Sequence, residues 1–272
     1  MKFGVGFSSR DWRAAPDVAI RADELGYDCF FIPDHYMWPS TNDTVDAWTF
    51  LSYLGAKTSQ IRLGTIVTPI PFRQPAILAK MITTIDLLSN GRVNFGVGAG
   101  WYKPEFDAYS VWHENDVRVA KFREGLRLIL KLWTEDKVDF QGRFYESRGA
   151  VLEPKPIQKP YPPIWFGTAG DYMLRLAARY GDGWISNFGR RVLPSIEKVR
   201  EIFEKLQKYN KAVGRTRGFT FAVGGCLEDG SKRVEQLMEL GCNYYVLSVD
   251  QMPPGPLDAV TRFAREIIPS FS

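Results

Sequence analysis

Histidine is nearly absent from this chain, with 2 in 272 residues. Two imidazoles cannot build a multi-histidine metal hydrolase site, and no metal is expected. Cysteine is almost as scarce. Cys29, Cys226 and Cys242 lie far apart, with no CxxC pair among them. A zinc ribbon and a disulfide framework are therefore excluded, and reduced thiols in a cytoplasmic protein are the expectation. Neither sign of charge is in large excess: Lys+Arg 35 against Asp+Glu 31 leaves +4. The densest basic stretch, 198–217, is interleaved with Glu201 and Glu204. That is the pattern of a solvated helix face, so nucleic acid is not an expected partner. No apolar run approaches about 18 residues without a charge or a proline, so no membrane span is expected. The opening MKFGVGFSSRDW has no extended apolar segment and no small-residue cleavage site, and no secretory signal is expected. A GxSxG nucleophile elbow and the Gly-Lys pair of a Walker loop are also missing.

What the chain does have is alternation. Short apolar, β-branched runs at 2–7, 28–32, 61–67, 92–97, 164–167, 183–185, 219–223 and 244–247 predict strands. Between and after them, helical periodicity predicts helices at 14–25, 45–57, 172–180, 194–213, 232–240 and 257–267. Ile77, Leu78, Met81, Ile82, Ile85 and Leu88 form a further helical stripe ended by Asn90-Gly91. Phe122, Leu126, Ile129, Leu130 and Trp133 mark another helix. The strands are apolar on both sides, as parallel strands covered by helices must be. Eight such repeats in one chain predict a single α/β domain, residues 1–272, closed into a (β/α)8 TIM barrel. An open, doubly wound sheet is the rival architecture. Residues 137–163 hold five prolines and read as an irregular excursion over the barrel rather than a domain boundary.

A barrel of this kind carries its site at the C-terminal ends of its strands. After the second predicted strand come Asp34, His35 and, close behind, Trp38. A histidine in that place can act as a general acid or base, and the aspartate can orient a neighbour or meet a polar ring. The plainer alternative is a capping aspartate beside a surface histidine. Two glycine-rich strand ends, Gly98, Ala99, Gly100 and Gly167, Thr168, Ala169, Gly170, permit close backbone approach, and the second opens a helix that can face an anion. Ordinary tight turns would use the same residues. The run from Gly96 to Gly100 misses the dinucleotide fingerprint, because its third glycine falls one place early. Trp101 follows it directly, and aromatic residues at 14% can wall a pocket for a flat ligand. His113 reads as structural.

Several segments, taken in order, resemble one known family. They are Leu63-Gly64-Thr65-Ile66-Val67-Thr68-Pro69 with Arg73-Gln74-Pro75, Gly91-Arg92-Val93 with Gly96 to Trp101, Pro162-Pro163-Ile164-Trp165 with Gly167 to Gly170, and Gly181-Asp182-Gly183-Trp184. Together they are similar to the bacterial luciferase-like flavin oxidoreductases, and Asp34-His35 resembles the branch that uses the deazaflavin coenzyme F420. The resemblance implies a homodimeric barrel holding F420, or FMN in the alternative. It places the cofactor phosphate near Thr168, Ala169 and Gly170, with Gly98 to Gly100 close by. It also implies a cis peptide at Ile66–Val67 backing the ring. The activity so implied is hydride transfer to or from a small organic substrate, with His35 and Asp34 catalytic, Asp34 also on the cofactor, and Trp38 and Trp101 walling the substrate. The second reading is an FMN monooxygenase supplied by a partner flavin reductase. The third is a barrel that binds flavin without turnover. Sugar-phosphate dehydrogenases of the deazaflavin branch carry glutamate where Trp101 stands, which speaks against a sugar-phosphate substrate. Arg10, Arg190 and Arg191 offer a cationic rim for the cofactor tail, or ordinary surface charge.

Overall fold

The computed structural model describes residues 1–7, 11–38, 42–186, 193–250 and 254–271. The predicted rim residues Arg10, Arg190 and Arg191 fall outside these residues. Within them the chain is a closed parallel barrel. Lys2–Phe7 pairs with Cys29–Ile32, which pairs with Arg62–Thr65, which pairs with Val93–Gly98. The sheet continues through Ile164–Phe166, Gly183–Ile185, Thr220–Gly225 and Tyr244–Val249, and the last strand returns to the first with Lys2 opposite Tyr244. Closure through Leu63 opposite Val93 excludes the open sheet. The third strand is broken. Arg62–Thr65 and Thr68–Pro69 are separated by a cis Ile66–Val67 peptide, the place expected from the sequence.

Alternation along each strand produces two cores. Side chains facing outward, such as Val5, Phe30, Leu63, Phe95 and Val223, pack under the helices. Side chains facing inward form a separate cluster of Cys29, Phe31, Trp165, Ile185, Ala222, Tyr244 and Val246. Trp165 meets Tyr244 edge-on at 4.9 Å and Phe31 at 5.5 Å, so aromatic rings fill the barrel. Glycine supplies the space: a Cβ on Gly64 would lie 2.6 Å from the Phe31 ring. The N-terminal mouth is shut by polar side chains. Arg62 donates to Asn94 and Gln158, and the Gln158 amide donates to Asp86. The residues expected to form the site lie at the opposite, C-terminal ends of the strands.

Two departures from the sequence reading matter. The first part of 137–163 is regular, an antiparallel hairpin of Val138–Gln141 and Glu146–Ala150. Its signal was short: Val138 and Phe140 alternate buried with exposed neighbours before the turn at Gly142. A helix at Lys103–Tyr109, with proline in its first turn, follows the fourth strand and was not anticipated. Among the described residues no helix is long and apolar enough to cross a membrane.

Candidate active site

The site begins at the break in the third strand. Four buried groups clamp it in series. Trp48 Nε1 donates to Thr68 Oγ1 at 3.0 Å, Thr68 Oγ1 to Thr65 Oγ1 at 3.0 Å, and Thr65 Oγ1 to the Gly96 carbonyl at 2.9 Å. Between the two threonines, Ile66 and Val67 are half-buried and pack on the inward cluster. Val67 reaches both glycine-rich strand ends. A Cβ on Gly98 would lie 2.7 Å from Val67 Cγ2, and one on Gly167 would lie 2.6 Å from Val67 Cγ1. Those contacts are closer than carbon atoms tolerate, so glycine at 98 and 167 is what admits Val67 there. The structure thus joins Ile66, Val67, Gly98 and Gly167 in one place.

Gly100 has a different task. Its φ of +80° turns the chain, and Phe106 packs where its side chain would be. The turn delivers Trp101 and the Lys103–Tyr109 helix to the mouth. Ala99 lies half-buried just before it. On the other side, Thr168 accepts a hydrogen bond from Trp184 Nε1 at its carbonyl, 2.6 Å away, and Ala169 and Gly170 are exposed. Gly170 is the N-cap of the Asp171–Tyr180 helix and offers no side-chain cap. Its φ is an ordinary −75°, and among the described residues no atom beyond its chain neighbours lies within 4 Å of where its Cβ would sit. Among the described residues, neither backbone nor packing requires glycine at 170.

The end of the second strand carries the charged part of the site. Asp34 is buried, and both its oxygens accept from Arg73: Nη1 to Oδ2 at 2.7 Å and Nη2 to Oδ1 at 2.8 Å. Arg73 Nη2 also donates to Asp46 at 2.7 Å, and Asp46 caps the Ala47–Lys57 helix through the Thr49 N–H. Burial opposes the charge on Arg73, and the Asp34 carboxylate outweighs it, so the guanidinium pKa lies above its ordinary range. Burial likewise opposes the charge on Asp46. The Thr49 N–H and Arg73 outweigh it and hold that carboxyl below its ordinary value.

His35 comes next. Its ring meets Trp38 edge-on at 4.4 Å and Trp101 at 5.9 Å, and Trp101 is more than half exposed. Its Nδ1 lies 2.9 Å from Oε2 of Glu105, a carboxylate only 1% exposed. The Tyr36 and Met37 N–H groups donate to the other oxygen, Oε1. Nδ1 is thus engaged, and no partner of Nε2 is found among the described residues. His113 lies apart, in the segment leading to the Asn115–Thr134 helix, and its carbonyl accepts from Arg118.

A family model described as luciferase-like monooxygenase matches residues 2–239. The chain belongs to that family. It is 33% identical over 201 residues to an F420-dependent glucose-6-phosphate dehydrogenase of Amycolatopsis mediterranei, covering 70% of this chain and 60% of that one. The enzyme of the same description from Nocardia farcinica is 35% identical over 185 residues, 65% of this chain and 54% of that one. The chain thus spans less than two thirds of the length of these curated relatives. Among solved structures it is similar to an F420-dependent secondary alcohol dehydrogenase in complex with an F420–acetone adduct, with a TM-score of 0.86, 20% identity and 98% of each chain covered. The monooxygenase RslO1 from Streptomyces bottropensis gives 0.81 at 21% identity over the whole of both chains. At these identities the structures share the fold.

Two residues of the site escaped the sequence reading. Glu105 lies in the unanticipated Lys103–Tyr109 helix, just beyond Trp101, where the resemblance gives sugar-phosphate dehydrogenases a glutamate. Arg73 lies within a segment that carried the family resemblance, but no sequence pattern tied it to Asp34.

Proposed function

We propose that this chain is an F420-dependent oxidoreductase that moves a hydride between the deazaflavin and a small organic alcohol or carbonyl compound. The observation that carries this reading is a histidine at the end of the second barrel strand, held by a buried carboxylate, in a chain 33% identical to F420-dependent dehydrogenases. The residues at the mouth fit the cofactor. Val67, cleared by Gly98 and Gly167, offers an apolar support for a flat ring. The uncapped N–H groups at Gly170 and beyond, with Thr168 and Ala169 leading into them, suit its phosphate. Bound F420 would supply the hydride chemistry.

The protein's part is to position groups and manage protons. Nε2 of His35 takes the hydroxyl proton when an alcohol is oxidised and returns it when a carbonyl is reduced. Trp38 and Trp101 wall the substrate and keep water from it. Asp34, locked to Arg73, anchors the strand end from which His35 projects. Trp101 stands where sugar-phosphate enzymes of this branch carry glutamate, so the alcohol is expected to differ from glucose 6-phosphate. The three buried thiols suit a reducing cytoplasm.

Titration of the apoprotein with oxidised F420 and with FMN, followed by fluorescence quenching, tests the cofactor. F420 is expected to bind tighter, and F420 reduction is then measured with 2-propanol, cyclohexanol and glucose 6-phosphate. Clearly tighter FMN binding, with oxygen-dependent turnover of reduced FMN, overturns the reading. A homodimer is part of the same proposal. Of the predicted stripe, Leu78, Ile82 and Ile85 are buried, but Ile77 and Leu88 face outward at 62% and 77% exposure. Apolar groups that exposed on one helix are expected to be covered by a second copy. Light scattering at micromolar concentration should give twice the chain mass, and a monomer would refute it.

A further inference from the structure

Glu105 lies in a helix of seven residues, yet it is among the most completely buried charged side chains in the protein. A carboxylate there has to be satisfied, and three nitrogens do it. The Tyr36 and Met37 N–H groups occupy Oε1, and His35 Nδ1 approaches Oε2 at 2.9 Å. The two backbone donors directly follow the histidine in sequence, so one carboxylate fixes both the segment that carries the ring and the ring itself. A carboxylate accepts hydrogen bonds and cannot donate one. Against it, a neutral imidazole must carry its proton on Nδ1, and Nε2 must present a lone pair.

We propose that Glu105 is the positioning residue of this site, setting the Nδ1–H tautomer of His35 and the orientation of its ring. The inference rests on the oxidoreductase reading only for its effect on rate. The tautomer itself is a property of this chain with or without cofactor. In that reading an alcohol must lose its hydroxyl proton to an acceptor. Nε2 accepts the proton, the imidazole becomes an imidazolium, and the Glu105 carboxylate 2.9 Å from Nδ1 stabilises that charge. On hydride return the same proton goes back to the substrate oxygen. With the proton on Nε2 instead, the ring would donate to the hydroxyl and could not take its proton.

Glu105→Gln separates shape from charge. The glutamine carbonyl still accepts from Tyr36 and Met37, but its amide now donates to Nδ1 and drives the proton to Nε2. Nitrogen NMR on protein labelled with 15N-histidine reads this directly, because the chain has only His35 and His113. A His113→Asn variant assigns the signals. At alkaline pH the wild type should show Nδ1 protonated and Nε2 bare at His35. In Glu105→Gln the two nitrogens should exchange character while His113 stays unchanged. F420 reduction with whichever of the three alcohols the wild type oxidises should fall on the order of 10²-fold, as expected for one charge-assisted hydrogen bond, with cofactor affinity held within a few-fold. A wild-type His35 protonated on Nε2 overturns the proposal even if the variant fails to fold. So does a folded Glu105→Gln protein with an unaltered tautomer. If the tautomers behave as stated but the wild type reduces no F420, the oxidoreductase reading falls and the role of Glu105 stands.

Discussion

Replacing His35 with alanine is expected to leave a folded barrel whose cofactor affinity stays within a few-fold of wild type and whose turnover falls about 10²–10⁴-fold. The two halves of this expectation have separate causes. Folding survives because Glu105 keeps its backbone donors at Tyr36 and Met37 when the imidazole is gone. One hydrogen bond to a charged group is lost, about 1.5–3 kcal/mol, and part of that returns as water enters beside Trp38. Cofactor affinity survives because the proposed ring support and phosphate site lie on Val67 and Thr168 to Gly170, on other strands. Turnover does not survive, because the proposed proton acceptor, Nε2 of the ring held beside Trp38 and Trp101, is gone. His35→Asn separates polarity from proton transfer: it can hydrogen-bond to a substrate but cannot take its proton, so it should be nearly as slow as alanine. The measurement is the rate of F420 reduction with the alcohol the wild type uses, alongside a fluorescence titration of F420. Unchanged rates in both variants would return His35 to a structural role.

The barrel was legible in the sequence because each strand–helix repeat carries its own period, and eight of them leave little choice of closure. Boundaries fell within a few residues wherever the strand was continuous. They failed at 61–67, where the observed strand stops at Thr65 and resumes at Thr68 around the Ile66–Val67 bond. Propensity saw only a β-branched run there; the family resemblance is what located the break. The placement of single residues was legible, as at His35 and Gly98, which follow or end barrel strands as expected. It was not legible where two distant residues pair. The sequence presents Asp34 as a residue that orients a neighbour or meets a polar ring; its partner Arg73 is 39 positions away, and only the folded chain shows both of its oxygens occupied. Glu105 was invisible for a related reason. Its place depends on the positive φ of Gly100, which swings the Lys103–Tyr109 helix over the end of the second strand.

Arg73→Ala is expected to cost about 3–5 kcal/mol of stability, because it strips the counter-ion from a carboxylate that stays buried. Three interactions end at Arg73, and their sizes decide which dominates. Its guanidinium lies 4.9 Å from the centre of the Tyr36 ring, a contact worth about 0.5–2 kcal/mol. Its bond to Asp46 matters less, since Asp46 is 28% exposed and keeps its cap on the Thr49 N–H. Asp34 is 2% exposed and has no such recourse: both of its oxygens face Arg73 in a bidentate pair. The loss is therefore mainly the price of an orphaned Asp34. Arg73→Lys should fall between, since one ammonium cannot serve both oxygens of Asp34 and Asp46 in a single plane. The Asp34→Asn/Arg73→Met double variant should recover more than half of the loss, because no charge is then left buried. Chemical denaturation with a constant slope gives all four stabilities. An Arg73→Ala protein within about 1 kcal/mol of wild type, or a double variant no better than the single one, would show that Asp34 is not held as the geometry requires.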